Sequence, residues 1–158
     1  IEPTQNIRSL GVKLKLSSTR TIVKNKSIIL IDDSLVRGTT CFKIVKMLYE
    51  SGAKEVHVRI ACPEIKYPDF YGVDMPTKEE LLAHKKNNQE MCEYIKAKSL
   101  KFLSLTGLYK ALVNEARNTV YPQFSDHYFT GDYPIKPSDQ LQGLKVKQLS
   151  LLSGKSNN

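Results

Sequence analysis

Residues 28–40 read IILIDDSLVRGTT, and this stretch decides the fold. Residues 27–31, SIILI, form a short continuous apolar run rich in β-branched side chains. That is the pattern of a strand buried in a parallel sheet. The loop after it opens at the carboxyl end of the strand, where α/β sheets form ligand crevices. Gly38 lets the backbone turn tightly and approach an anion. Free N–H groups at the start of the following helix favour a phosphate. Thr39 and Thr40 add hydroxyl donors, and Arg37 adds charge. Asp32 and Asp33 are unsuited to phosphate but suit sugar hydroxyls, or Mg²⁺ and its waters. The loop therefore asks for a phosphate with a polyol beside it, and a sugar phosphate fits. An acid pair alone more often ends a strand and caps a helix. The joined pattern of strand, acid pair, Gly-Thr-Thr and helix is far more specific.

Outward from this loop the period changes. Cys41, Ile44, Val45 and Leu48 fall at helical spacing, and Gly52 closes the helix as a C′ glycine. Residues 55–61, EVHVRIA, alternate as a second strand, completing a βαβ unit. Pro63, Pro68 and Pro76 make residues 62–76 a loop. Lys66, Tyr67 and Tyr71 in it read as surface or packing residues. Thr77 and Glu80 form a capping box that opens a helix through about His84, where a cation suits the helix dipole. Residues 88–97 form another helix, with Met91, Tyr94 and Ile95 on one face. Residues 100–105 are a third strand. Thr106 caps a further helix with Leu108, Leu112 and Val113 facing inward. Beyond Asn114 the pattern decays, and His127 receives no role. The stretch from Lys136 is Gln-, Ser- and Lys-rich and reads as weakly ordered.

The chain has 158 residues, enough for one domain with a core that needs no disulfide or metal staples. Its formal net charge is +8, with an excess near the start in Arg8, Lys13, Lys15, Arg20, Lys24 and Lys26. No aromatic residues interleave these cations and no nucleic-acid motif follows, so nucleic acid is a poor candidate partner. Cys41, Cys62 and Cys92 contain no C-x-x-C pair, which fits free thiols in a reducing cytoplasm. The three histidines are scattered and make no metal-ligand spacing. No apolar run reaches the roughly 18 residues of a membrane helix. Ile1 in place of Met, with no signal-peptide pattern, reads as a processed or cloned start, or as a break in a longer protein.

DDSLVRGTT between a strand and a helix resembles the 5-phosphoribosyl-1-pyrophosphate (PRPP) motif of type I phosphoribosyltransferases. With Arg37 before Gly38, it resembles the amidophosphoribosyltransferase family within them. GVKLKL, GAKEVHVRI, PEIKYPDFYGVDMPTKEELLAH and HYFTGDYP also resemble matching stretches of that family. Together these cover most of residues 1 to 134. The resemblance implies an α/β fold, Rossmann-like, with a parallel sheet and flanking helices, its N-terminal strands missing. It implies that Asp32 and Asp33 meet the ribose hydroxyls and Mg²⁺. Ser34, Arg37, Gly38, Thr39 and Thr40 would cradle the 5-phosphate. Residues 1–26 would be the rest of a flexible loop closing over PRPP and its lead-in, 27–134 the transferase core, and 135–158 a tail.

The reaction so implied is a glycosyl transfer, the first committed step of purine synthesis. Ammonia from glutamine displaces pyrophosphate from PRPP, giving phosphoribosylamine, in a cytoplasmic enzyme that is a homo-oligomer at full length. Purine nucleotides are implied as further ligands. No residue is assigned a catalytic role. The family's N-terminal glutaminase part is not among these residues, so the chain alone is expected to be inactive with glutamine. Some relatives hold an iron–sulfur cluster on cysteines; the matching positions here are Asp69, Ser125 and Tyr128, so no cluster is expected. Three other readings stand beside this one. They are a PRPP- or nucleotide-binding regulatory module on the same fold, a salvage transferase acting on a free base, and an inert gene remnant. Arg37 and the extended likeness argue against the salvage enzyme.

Overall fold

The computed structural model describes residues 20–72 and 77–135. The expected cationic lid at residues 1–16 and the tail from Lys136 lie outside the described residues.

A short helix α1 (Arg20–Val23) leads into strand β1 (Ser27–Asp32). Helix α2 (Thr39–Glu50) crosses to strand β2 (Glu55–Ile60). A 3₁₀ turn (Lys78–Glu80), α3 (Leu82–Lys85) and α4 (Asn88–Tyr94) then precede strand β3 (Ser99–Phe102). Helices α5 (Leu105–Val113) and α6 (His127–Thr130) complete the order. The three strands pair in parallel in the order β1-β2-β3, with Ser27 opposite Glu55 and His57 opposite Ser99. This is the expected βαβ unit extended by one strand, with β1 at an edge.

Alternation explains which sheet face is covered. Val56, Val58 and Ile60 are buried, and Ile28, Leu30, Leu100 and Phe102 share their face. Cys41, Val45 and Leu48 of α2 pack onto it, as do Met91 and Ile95 from the α4 side. The β1 residues of opposite parity, Ile29 and Ile31, remain 64% and 73% exposed. They leave an apolar stripe along the edge strand. Gly52 takes the expected left-handed turn after α2, with φ of 94°, and its N–H bonds the Tyr49 carbonyl.

Several local expectations shift. The lead-in before β1 contains a short helix over Arg20–Val23. The Thr77–Glu80 capping pair does form, with the Thr77 N–H on Glu80 Oε2 at 3.2 Å. It starts a 3₁₀ turn only, because Leu81 is extended (φ −71°, ψ 120°) and breaks the helix before α3. Asn87 caps α4 by accepting from the Glu90 N–H at 2.9 Å, which the sequence reading did not single out. Of its predicted inner face, Met91 and Ile95 are buried, while Tyr94 is 40% exposed and leans toward the phosphate loop instead.

The cap of α5 is Ser104, not Thr106. Its hydroxyl accepts from the Gly107 N–H at 3.0 Å, and the strand has already ended at Phe102. The helix therefore starts earlier and is turned differently from the expectation. Leu112 and Val113 face outward, and the buried residue is Tyr109. Its phenol reaches the buried Asp126 carboxylate at 2.8 Å. A Leu-rich face suggested apolar packing; a buried carboxylate paired with Arg117 took that place.

The region after Asn114 is thus ordered by polar contacts rather than by periodicity. Arg117 donates to Asp126 and to Asp132, the latter at 2.7 Å. Burial pushes the Asp126 carboxyl up, but its bonds from Arg117 and Tyr109 outweigh this and hold it below the usual range. The unfolded reference is about 3.9, so the stabilisation is complete above it and is lost as pH falls through the lower folded value. Urea midpoints of the native chain should exceed those of Asp126→Asn at pH 6 and converge with them toward pH 2. Superposed curves across that range would show that this carboxylate contributes nothing to folding.

Candidate functional site

The site begins where β1 ends. The Asp32 carbonyl still accepts from the Ala61 N–H at 2.9 Å, so the sheet fixes this residue's backbone. The Asp33 N–H then turns onto Asp32 Oδ1 at 3.1 Å, and Ser34 Oγ donates to Asp33 Oδ1 at 3.2 Å. Leu35 is buried and anchors the middle of the loop in the core. Asp32, Asp33, Ser34, Arg37, Gly38, Thr39 and Thr40, together with Leu35, Val36 and Cys41, line one concavity of about 340 Å³. The structure therefore brings all seven residues singled out from the sequence to one place.

Gly38 is the turning point. Its φ is 76°, in the left-handed region, and it precedes α2. A β-carbon there would lie 2.7 Å from Leu82 Cδ2 and 3.0 Å from Tyr94 Cε1. The Phe42 N–H bonds the Gly38 carbonyl at 2.9 Å, closing the first turn. The amides ahead of it have no partner within the helix, and the first turn carries no acid. Such an end favours an anion, and α2 is long enough to hold its dipole. The carboxylates and the phosphate-favouring helix start thus occupy opposite ends of one short loop.

Cys41 lines this concavity and Cys62 lies near Asp33, and neither thiol is activated there. Burial, and secondarily the Asp32 charge, pushes the Cys41 thiol up to about 11. Burial and Asp33 do the same to Cys62, also to about 11. Both stay protonated at neutral pH.

Arg37 bonds Glu80 from both Nε (3.2 Å) and Nη2 (3.5 Å). From the sequence Glu80 reads only as a helix cap. No sequence rule links residues 43 apart, so this contact was not legible.

A second concavity, about 390 Å³, opens beyond the carboxyl ends of β2 and β3. Glu64, Lys66, Lys101 and Ser104 contribute its polar groups, and Lys66 is already paired to Glu64 at 2.8 Å. It is the larger of the two but has no acid pair and no glycine-opened helix start, so the β1–α2 loop is the better site.

A third cluster joins positions that the sequence treated separately. His127 Nε2 meets Asp69 Oδ1 at 2.9 Å, Tyr128 donates to the same oxygen at 3.0 Å, and Ser125 Oγ lies 3.2 Å from His127 Nδ1. The Asp69 and His127 side chains are 1% and 2% exposed. Tyr67 packs against Gly131, and Tyr71 sits edge-on to His127 at 5.2 Å. Asp69, Ser125 and Tyr128 thus converge as a hydrogen-bonded clasp between the loop after β2 and α6. His127, given no role from sequence, lies at its centre. Lys66, Tyr67 and Tyr71 are packing and pairing residues, as expected.

Gly38→Ala should cost about 1–3 kcal/mol through the left-handed backbone alone. The contact with Leu82 adds to this, and the loss is measurable as a lowered urea midpoint. An unchanged midpoint would mean that the loop does not require glycine.

No protein-family model matches the chain. Comparison with known proteins finds close relatives among the amidophosphoribosyltransferases. The chain is 53% identical over 154 residues to the amidophosphoribosyltransferase of Rhizobium etli, covering 97% of this chain and 31% of that one. It is 47% identical over 148 residues to amidophosphoribosyltransferase 1, chloroplastic, of Arabidopsis thaliana, covering 94% and 25%. The solved glutamine PRPP amidotransferase of B. subtilis, complexed with ADP and GMP, superposes with a TM-score of 0.68 at 40% identity. That match covers 85% of this chain and 29% of the solved one. The chain therefore spans less than a third of the length of these relatives. By sequence and by fold it is homologous to a segment of the amidophosphoribosyltransferases, and its parallel sheet with flanking helices matches part of their type I phosphoribosyltransferase fold.

Proposed function

We propose that this chain supplies the PRPP-holding part of an amidophosphoribosyltransferase. The observation that carries the reading is the single loop that sets two carboxylates against a phosphate-favouring helix start. The ligand is a ribose 5-phosphate carrying pyrophosphate at its anomeric carbon. Backbone N–H groups of Thr39 and Thr40, with the Thr39, Thr40 and Ser34 hydroxyls, hold the 5-phosphate. Asp32 and Asp33 accept from the ribose hydroxyls.

The same two carboxylates fit Mg²⁺. They are hard oxygen donors, and the hydrogen bonds from Asp33 N–H and Ser34 use only Oδ1 of each. Among the described residues no group of three or more His, Cys, Asp or Glu could hold a metal. A cation here would therefore be completed by ligand oxygens and water, as is usual for Mg²⁺. When bound, it would offset the charge that grows on departing pyrophosphate.

Ammonia displacing pyrophosphate gives phosphoribosylamine, with glutamine as the ammonia source. That whole reaction needs residues beyond these 158, so the chain by itself is expected to bind PRPP without turning it over. Association into homo-oligomers, a cytoplasmic location and purine-nucleotide binding belong to the same proposal. The ADP and GMP held by the B. subtilis relative support the last of these. Among the described residues no helix is long and apolar enough to cross a membrane.

Calorimetric titration of PRPP with Mg²⁺ tests the reading. The native chain should bind, and Asp32→Asn should weaken binding by about tenfold or more, as expected for removing a charged hydrogen-bonding partner. Equal heats from both proteins would overturn the assignment of Asp32.

A further inference from the structure

The phosphate loop is not self-supporting. Three contacts brace its Val36–Gly38 stretch, and they come from the segment between Thr77 and Tyr94. The Leu82 N–H donates to the Val36 carbonyl at 2.9 Å. Glu80 takes both donors of the Arg37 fork. Leu82 and Tyr94 close over Gly38, leaving no room for a side chain. The braced residues, Val36, Arg37 and Gly38, are consecutive.

Glu80 is itself held. Its Oε2 accepts from the Thr77 N–H, and its own N–H bonds the Thr77 carbonyl at 2.9 Å. Its carboxylate is thus presented to Arg37 from a fixed turn rather than from a free surface arm. Arg37 meets it with a planar fork, the geometry in which an arginine–carboxylate pair is directional. With its charge offset by Glu80, Arg37 adds little attraction for a phosphate at the start of α2. Swinging it onto that phosphate would break both bonds and leave the Glu80 carboxylate facing another anion.

The geometry points to Glu80 and Arg37 as a latch that positions the phosphate loop, with Arg37 a positioning residue rather than a ligand of the phosphate. This rests on the reading of the loop given above and refines it. The anion is then held by backbone amides and hydroxyls, and the Thr77–Tyr94 segment is part of the binding unit.

The test compares the native chain with Glu80→Gln, Arg37→Gln and the double variant. Ribose 5-phosphate and PRPP binding are measured by calorimetry, and exchange of the Leu82 amide by NMR. The pair is half-exposed, so each single variant should weaken binding only about fivefold. The double variant should be no weaker than either single one. Leu82 exchange should quicken by a similar factor in all three, and Glu80→Asp should recover part of both effects.

If Arg37 instead grips the phosphate and Glu80 merely competes for it, Glu80→Gln will bind more tightly, and that result overturns the proposal. Additive losses in the double variant overturn it as well, because independent roles add. Absence of binding by the native chain would refute the ligand reading. The latch would still be decided by Leu82 exchange, which unchanged rates in Glu80→Gln would contradict.

Discussion

At Gly38 the chain leaves the sheet edge and enters α2 through a left-handed turn with space for a hydrogen and nothing larger. Everything that makes the loop a candidate site depends on that constraint. The turn lets the start of α2 face the same concavity as the acid pair at the end of β1. Without it, the carboxylates would still end a strand and the helix would still have a positive end, but the two would not bound one ligand. The constraint is also non-local. Leu82 and Tyr94 lie against Gly38 from elements that follow β2, so the second half of the core borders the site.

This division separates what the sequence made legible from what it did not. The β1–α2–β2 unit could be read because its signals are local. These are a β-branched apolar run, helical spacing from Cys41 to Leu48, a glycine at the helix end, and alternation in β2. The acid pair, Gly38 and the two threonines were legible for the same reason, since spacing along the chain already states which groups meet. The Arg37–Glu80 pair carried no such signal. A capping glutamate and a loop arginine are both common, and only the docking of the Lys78–Glu80 turn against the loop joins them.

The departures from Leu105 onward have one physical source. Hydrophobic spacing predicts which face of a helix is buried when the core is apolar. Around α5 the buried partner is the Asp126 carboxylate, held by Arg117 and Tyr109, so the rule turned the helix the wrong way. The stretch after Asn114 seemed patternless because hydrogen bonds organise it, through Asp126 on one side and the Asp69–His127 pair on the other. Polar clasps of this kind leave no periodicity. The exposed Ile29 and Ile31 show the opposite case. There the sequence is apolar on both parities, as in a strand covered on two faces, and one face is open among the described residues.

The candidate site stands or falls on whether a phosphate is received at the start of α2, within the β1–α2 loop. The most direct measurement is an amide NMR titration of the chain with ribose 5-phosphate in the presence of Mg²⁺. The largest shifts should fall on Gly38, Thr39, Thr40 and Cys41, with smaller ones at Asp33 and Leu82. Shifts centred instead on Lys66, Lys101 and Ser104, around the larger concavity beyond β3, would contradict it.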